Sequence, residues 1–192
     1  PGIGAGLMRV ADVEVLSPWA RIAAPDCPIV IEARTQPLPA EAVAALLDQA
    51  PFAVRAAGDV AAVMAGLADL PDALRADVAD LALRFMALMQ VEAVRVRVEG
   101  VVSNACWKVH ADYTDLRLIT TYAGPGTDYA PHGDADCCLE RVPTGAIALF
   151  KGQNFAAGHA PCLHRSPPIE GGGERRLVLV IDTPTSAVPT LD

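Results

Sequence analysis

The hydrophobic period of the chain switches near residue 91, and that switch restricts the folds open to it. Over about Pro71 to Gln90, Leu74, Val78, Leu81, Phe85 and Leu88 recur at intervals of three or four, the period of an amphipathic helix. Asp72 and Asp77 near its start suit the helix dipole. The run VEAVRVRVEG then alternates Val94, Val96 and Val98 with Arg95, Arg97 and Glu99, which predicts a strand with one buried and one wet face. Further strands are predicted at 106–112, 116–123, 145–151 and 175–182, separated by the turn-forming runs GPGT (124–127), PHGDAD (131–136) and EGGG (170–173). Ahead of the long helix, PIVIEAR (28–34) reads as a short strand, 39–49 as a helix opening on Pro39, and Gly58 to Leu67 as a second helix.

Helices first and antiparallel-type strands afterwards predict an α+β fold. Such strands over residues 92–182 close as a jelly roll or as a barrel, under a helical layer from residues 1–91. The whole chain reads as a single domain with a tail at 183–192. Residues 1–27 are irregular, and Gly2, Gly4 and Gly6 follow no strand, so they make no phosphate loop. Hydrophobic residues are 52% but aromatics only 5%, so the core is built mainly from small side chains, with Met64, Met86 and Met89 as filler.

Several function classes drop out. A net charge of −8 with only Lys108 and Lys151 as lysines argues against nucleic acid as a partner. No apolar run is long enough to span a membrane, and no signal-peptide pattern opens the chain. Five cysteines with no CxxC pair do not make a disulfide framework, so the expected compartment is the reducing cytoplasm.

All four histidines, His110, His132, His159 and His164, fall in the strand-rich half. His110 and Asp112 stand two apart, and on a strand such residues share a face about 6.6 Å apart. With His164 from a later strand they make two imidazoles and one carboxylate on one face, leaving open positions on an ion. That is the facial triad favoured by iron(II) in oxygenases. Other arrangements compete. Cys106 could add a thiolate, which would favour zinc(II), if the chain bends before His110. His132 and Asp134, with Asp136, Cys137 and Cys138 beside them, form a second HxD in a turn-rich loop that reads more simply as surface. His159 is placed at the site mouth. A nucleophilic pairing of Cys162 with His164, or of Cys106 with His110, lacks the positive surroundings that make a thiolate.

The order HxD, distal His and then Arg175–Arg176 opening the last strand resembles the iron(II)/2-oxoglutarate dioxygenases, most of all their prolyl-hydroxylase-like branch. More closely, the pieces C-x-x-x-H-x-D (106–112), RLITTYAGPGT (117–127), FKG (150–152), HRSPP (164–168) and RRLVLVID (175–182) resemble a bacterial family of unknown function, and this likeness extends into the N-terminal helices. The resemblance implies a metal held by His110, Asp112 and His164, and 2-oxoglutarate held through its far carboxylate by Arg175 or Arg176, since a guanidinium fork matches a carboxylate. Strand alternation lets only one of the two arginines face inward, and Arg175 fits the family spacing better. Tyr122 and Lys151 are candidates to supplement that contact, but a packed strand tyrosine and a solvated strand-end lysine are the favoured readings. The fold implied by the resemblance is a double-stranded β-helix with a cupin-like core. The function implied is an iron(II)/2-oxoglutarate-dependent oxygenase acting on a small molecule or a protein side chain. Genes of the nearer family are associated with zinc-responsive operons, which sets a zinc-binding protein of metal homeostasis as the alternative, and a metal-free β-fold binding module is the third.

Overall fold

The computed structural model describes residues 18–131 and 138–184. A 3-10 turn at Pro18–Ala23 leads into β1 (Ile29–Glu32), α1 (Ala40–Asp48), β2 (Phe52–Gly58), α2 (Val60–Gly66) and α3 (Asp72–Met89). The strands β3 (Val94–Val101), β4 (Leu116–Ala123), β5 (Asp128–Tyr129), β6 (Glu140–Arg141), β7 (Ile147–Lys151), β8 (His164–Arg165) and β9 (Arg176–Asp182) follow. A six-stranded antiparallel sheet has the order β1-β7-β4-β9-β3-β2, and a three-stranded sheet the order β6-β5-β8. The fold is α+β, with the two sheets of a jelly roll and helices on one side.

The period-2 pattern sorts side chains between two cores. Leu177, Leu179 and Ile181 of β9, with Val94, Val96 and Val98 of β3, pack against Leu74, Val78, Leu81 and Phe85 of α3. The intervening Val178 and Val180 join Ile119, Ala148, Phe150, Tyr129, Val142 and Cys162 in a second cluster between the sheets. A strand buried on both faces reads as a continuous apolar run, which is why RLVLVID looks as it does. The predicted helical period over 71–90 becomes α3, closed by Gln90 in the left-handed conformation.

Two expectations need correcting. Residues 106–112 do not form a strand: Cys106 takes φ 57°, which breaks an extended run, and within that stretch only His110 pairs, through an isolated bridge to His164. The strand predicted at 28–34 appears as β1 at one edge of the large sheet, but β2 at the other edge is not among the predicted strands. The alternation Phe52, Val54, Ala56 against Ala53, Arg55, Ala57 marks β2 in the sequence, but the alanines on both faces mute the contrast.

The helical layer is fastened to the sheet by a buried polar knot. Arg34 donates to both carboxylate oxygens of Asp77 on α3, at 2.5 and 3.0 Å, and to the Gly145 carbonyl at 3.0 Å. The Tyr122 hydroxyl donates to the same carboxylate at 2.6 Å. Burial and the Asp77 charge push the Tyr122 phenol well above its ordinary value. Removing Asp77 strands a largely buried guanidinium, so Asp77→Ala is expected to cost about 3–5 kcal/mol of stability. Tyr122→Phe deletes one hydrogen bond and is expected to cost about 1–3 kcal/mol. Urea denaturation of the two variants checks the order.

Candidate metal centre

The small sheet continues past β8 by one residue pair. His110 N–H donates to the His164 carbonyl at 2.9 Å and His164 N–H to the His110 carbonyl at 2.8 Å, so the two residues are directly opposed. The side chains of opposed residues stand on one face, and the two imidazole centroids are 4.9 Å apart. The His164 ring leans on Phe150, with centroids 4.7 Å apart, and is buried.

Asp112 reaches the same point from a chain that has already turned. The segment after β7 holds it: Gln153 N–H donates to the Asp112 carbonyl, Gly152 N–H to Asp115 and Asn154 N–H to Thr114. A side chain at position 152 would put its Cβ 1.9 Å from the Thr114 carbonyl oxygen, so this approach requires glycine. The Asp112 carboxylate then lies 3.1 Å from His164 Nε2 through one oxygen and 3.6 Å from His110 Nε2 through the other. One donor atom from each of the three residues falls within 4.8 Å of the others.

The hydrogen bonds fix the tautomers. His110 Nδ1 faces the Lys108 carbonyl at 2.8 Å and His164 Nδ1 the Cys162 carbonyl at 3.1 Å. A carbonyl only accepts, so each Nδ1 carries a proton, and the neutral form of each ring has its lone pair on Nε2. Asp112 Oδ2 is buried, and His164 Nε2 stands 3.1 Å from it. Two imidazole Nε2 atoms and a carboxylate gathered at one point are a donor set for a cation, with the carbonyls orienting the imidazoles behind it.

Arg117 supports the carboxylate. Its Nη1 is 2.5 Å from Asp112 Oδ1, while Nε and Nη2 fork onto Asp182 at 2.7 and 2.9 Å. Burial raises the Asp112 acid, but the His164 contact and the Arg117 charge outweigh it and hold the group below its ordinary value. The sequence reading passed over Arg117 and Asp182. Both stand in quoted motifs, and their cross-strand pairing on β4 and β9 places them on one face.

The arginine at the far end of β9 differs from expectation. Arg175 is exposed and turns to α1, donating to the Leu47 carbonyl at 2.8 Å and lying 3.5 Å from Asp48. Arg176 shares the parity of Val178 and Val180 and is buried between the sheets. It donates to the Pro125 carbonyl at 2.7 Å, lies 3.4 and 3.5 Å from the Thr121 and Thr127 hydroxyls, and makes no ion pair among the described residues. The turn at 124–127 that wraps it needs Gly124, whose φ is 78° and whose Cβ would meet the Arg175 carbonyl at 2.2 Å. Burial lowers the Arg176 guanidinium to about 10, so it remains a cation at neutral pH.

Tyr122 and Lys151 do not reach the metal centre, because strand parity sends both to the helix side. Tyr122 is in the Asp77 knot. Lys151 donates to the Ala24 carbonyl at 2.6 Å and meets His159 Nδ1 at 2.9 Å, which also takes His159 to that side. Cys106 is exposed and lies outside the three-residue cluster. Burial pushes the Cys162 thiol up to about 12, the reverse of what a nucleophile needs. His132, Asp134, Asp136 and Cys137 lie outside the described residues, and Cys138 is exposed. Among the described residues no helix is long and apolar enough to cross a membrane.

Comparison with solved structures finds the same fold at low identity. The dioxygenase for auxin oxidation 1 from Arabidopsis thaliana, in its 2-oxoglutarate complex, matches with a TM-score of 0.55 and 12% identity over 90% of this chain and 89% of that one. A Pseudomonas putida prolyl-4-hydroxylase matches with a TM-score of 0.53 and 14% identity over 92% of this chain and 99% of that one. JOX2 in complex with 2OG, Fe and JA gives 0.51 and 12% identity over 88% and 72%. A search of curated protein sequences finds no match. The family profile described as Protein of unknown function (DUF1826) matches residues 11–182, and the chain belongs to that family.

The Arg117 fork makes a prediction for metal-free protein. In Arg117→Gln the Asp112 carboxyl should titrate at higher pH than in the parent, because a neighbouring cation is gone. A carboxyl with a depressed folded value contributes stability above its unfolded value of about 3.9 and loses it as pH falls through the folded value. Carbon-detected NMR titration of the side-chain carboxyl checks the shift, and an unchanged Asp112 would refute the electrostatic role of Arg117.

Proposed function

We propose that this member of the DUF1826 family is an iron(II)- and 2-oxoglutarate-dependent oxygenase. The observation that carries the reading is the donor set: two imidazoles, each tied to a carbonyl through Nδ1, turn their Nε2 atoms to one largely buried carboxylate. His110, His164 and Asp112 would hold the ion on one side and leave its other positions free. The zinc reading would draw on Cys106 as an added thiolate, and Cys106 is outside this cluster. The auxin dioxygenase bound to 2-oxoglutarate and the JOX2 complex with 2OG and Fe support the same cofactor pair.

When bound, the iron and 2-oxoglutarate supply the oxidative decarboxylation that drives oxidation of a substrate C–H bond. The chain's own residues provide the setting. Arg176, a buried cation with no carboxylate partner among the described residues, binds the far carboxylate of the co-substrate, with the Thr121 and Thr127 hydroxyls beside it. Ile119, Ala148, Phe150, Val178 and Val180 line the space between the sheets and exclude water from it. Arg117 keeps Asp112 ionised and aimed at the ion. The fork onto Asp182 anchors Arg117 in turn.

Anaerobic addition of iron(II) and 2-oxoglutarate to metal-free protein should produce a visible charge-transfer band. His110→Ala, His164→Ala and Asp112→Ala should abolish it. Arg176→Gln should raise the 2-oxoglutarate concentration for half-saturation at least about tenfold, the loss of one charge-assisted contact of about 1.5–3 kcal/mol. Arg175→Gln should leave it unchanged. No band in folded protein would sink the oxygenase reading.

A further inference from the structure

The inner face of the large sheet does not stop at β9. Its residues Val178, Val180 and Asp182 oppose Glu99, Arg97 and Arg95 on β3, and these oppose Ala53, Arg55 and Ala57 on β2. Opposed residues share a face, so the surface that lines the metal centre runs on to the sheet edge and changes there from apolar to basic. A groove of about 400 Å³ lies over it, lined by Arg55, Arg95, Arg97, Arg117 and Asp182 with the Ala56–Ala57 and Val96 backbone. Arg117 belongs to both places, touching Asp112 with one nitrogen and lining the groove.

The charges of this groove are paired within the fold, with positive charge left in excess. Four guanidinium groups line it against one carboxylate, in a protein whose net charge is −8. Arg55 stands directly across from Arg97, and like charges in that position destabilise a sheet. Counting neighbours outside the lining, three carboxylates answer the four arginines. Glu99 lies 3.5 Å from Arg55 and 3.4 Å from Arg97. Asp182 pairs with Arg117 and lies 3.9 Å from Arg95, and Asp112 pairs with Arg117, which leaves one positive charge in excess. The Arg97 contact is made by its buried Nε, which makes no well-formed hydrogen bond among the described residues. Arg55 and Arg95 keep 63% and 43% of their side-chain surface open to solvent, so an anion can reach them.

From this juxtaposition we propose that the Arg55–Arg95–Arg97 groove binds the substrate, and that the substrate is a small organic anion carrying a carboxylate or phosphate. The volume is that of a small-molecule site. The guanidinium forks pair bidentately with either oxyanion. Anchoring the anionic end over β2 and β3 leaves the rest of the molecule to extend past Arg117 toward the metal centre. This assignment rests on the oxygenase reading for what happens to the substrate, but the anion site itself does not depend on the metal.

The test uses protein loaded anaerobically with iron(II) and 2-oxoglutarate and titrated with benzoate, phenyl phosphate and neutral benzamide, followed by calorimetry and by the charge-transfer band. At least one of the two anions should bind at least about tenfold more tightly than benzamide, and the better of them identifies the head group. The double variant Arg55→Gln/Arg97→Gln should lose about tenfold or more of that affinity while keeping the band and the melting temperature. Equal binding of benzamide, no binding of either anion, or unchanged affinity in the double variant overturns the proposal. If no band forms, the same titration of metal-free protein reads the groove alone, so failure of the oxygenase reading and failure of the anion site are told apart.

Discussion

The site depends on a pair of backbone hydrogen bonds between His110 and His164. Those residues are 54 positions apart in sequence, and nothing local brings them together. The bridge exists because β8 already pairs with β5, and the segment before Asp112 adds to the open side of β8. Once opposed, the two rings have little freedom. Each Nδ1 is tied to a carbonyl two residues away on its own chain, so each Nε2 is aimed without a second protein side chain. Asp112 then needs support of a different kind, because its chain has left the sheet, and the 152–154 segment and Arg117 supply it.

Parity along β9 and β4 carries the rest. One residue toward the helices or toward the small sheet decides whether a side chain is structural or faces the site. Arg176 and Arg175 are adjacent and chemically identical, yet one is buried among threonine hydroxyls and the other bonds α1 at the surface. Tyr122 and Thr121 divide in the same way, Tyr122 to the Asp77 knot and Thr121 to Arg176. Lys151 falls to the helix side while Phe150 supports His164. Each strand therefore serves two cores at once.

This explains what the sequence made legible. The long helix, β3 and the three longer strands of the C-terminal half announce themselves by period and composition, and His110, Asp112 and His164 by chemistry and spacing. Arg175 and Arg176 are not separable by pattern because both neighbours of β9 are apolar on both faces, so alternation leaves no mark. Cys106 breaks the strand before His110 through a backbone conformation that a cysteine does not advertise. Arg117 stands in a predicted strand with no pattern that marks it, and its meaning appears only when Asp182 is placed opposite it.

The alternation in VEAVRVRVEG also takes on another sense. A strand with arginines on one face reads as half exposed to bulk solvent. In the fold, that face is the continuation of the inner wall beyond the small sheet, beside the metal centre. Four arginines gathered there against three carboxylates leave a local excess of positive charge in a protein whose net charge is −8. It raises no stability, since Arg55 and Arg97 face each other across the ladder at a cost. A cost borne on the wall next to a set of metal donors is the mark of a surface arranged for a ligand rather than for the fold.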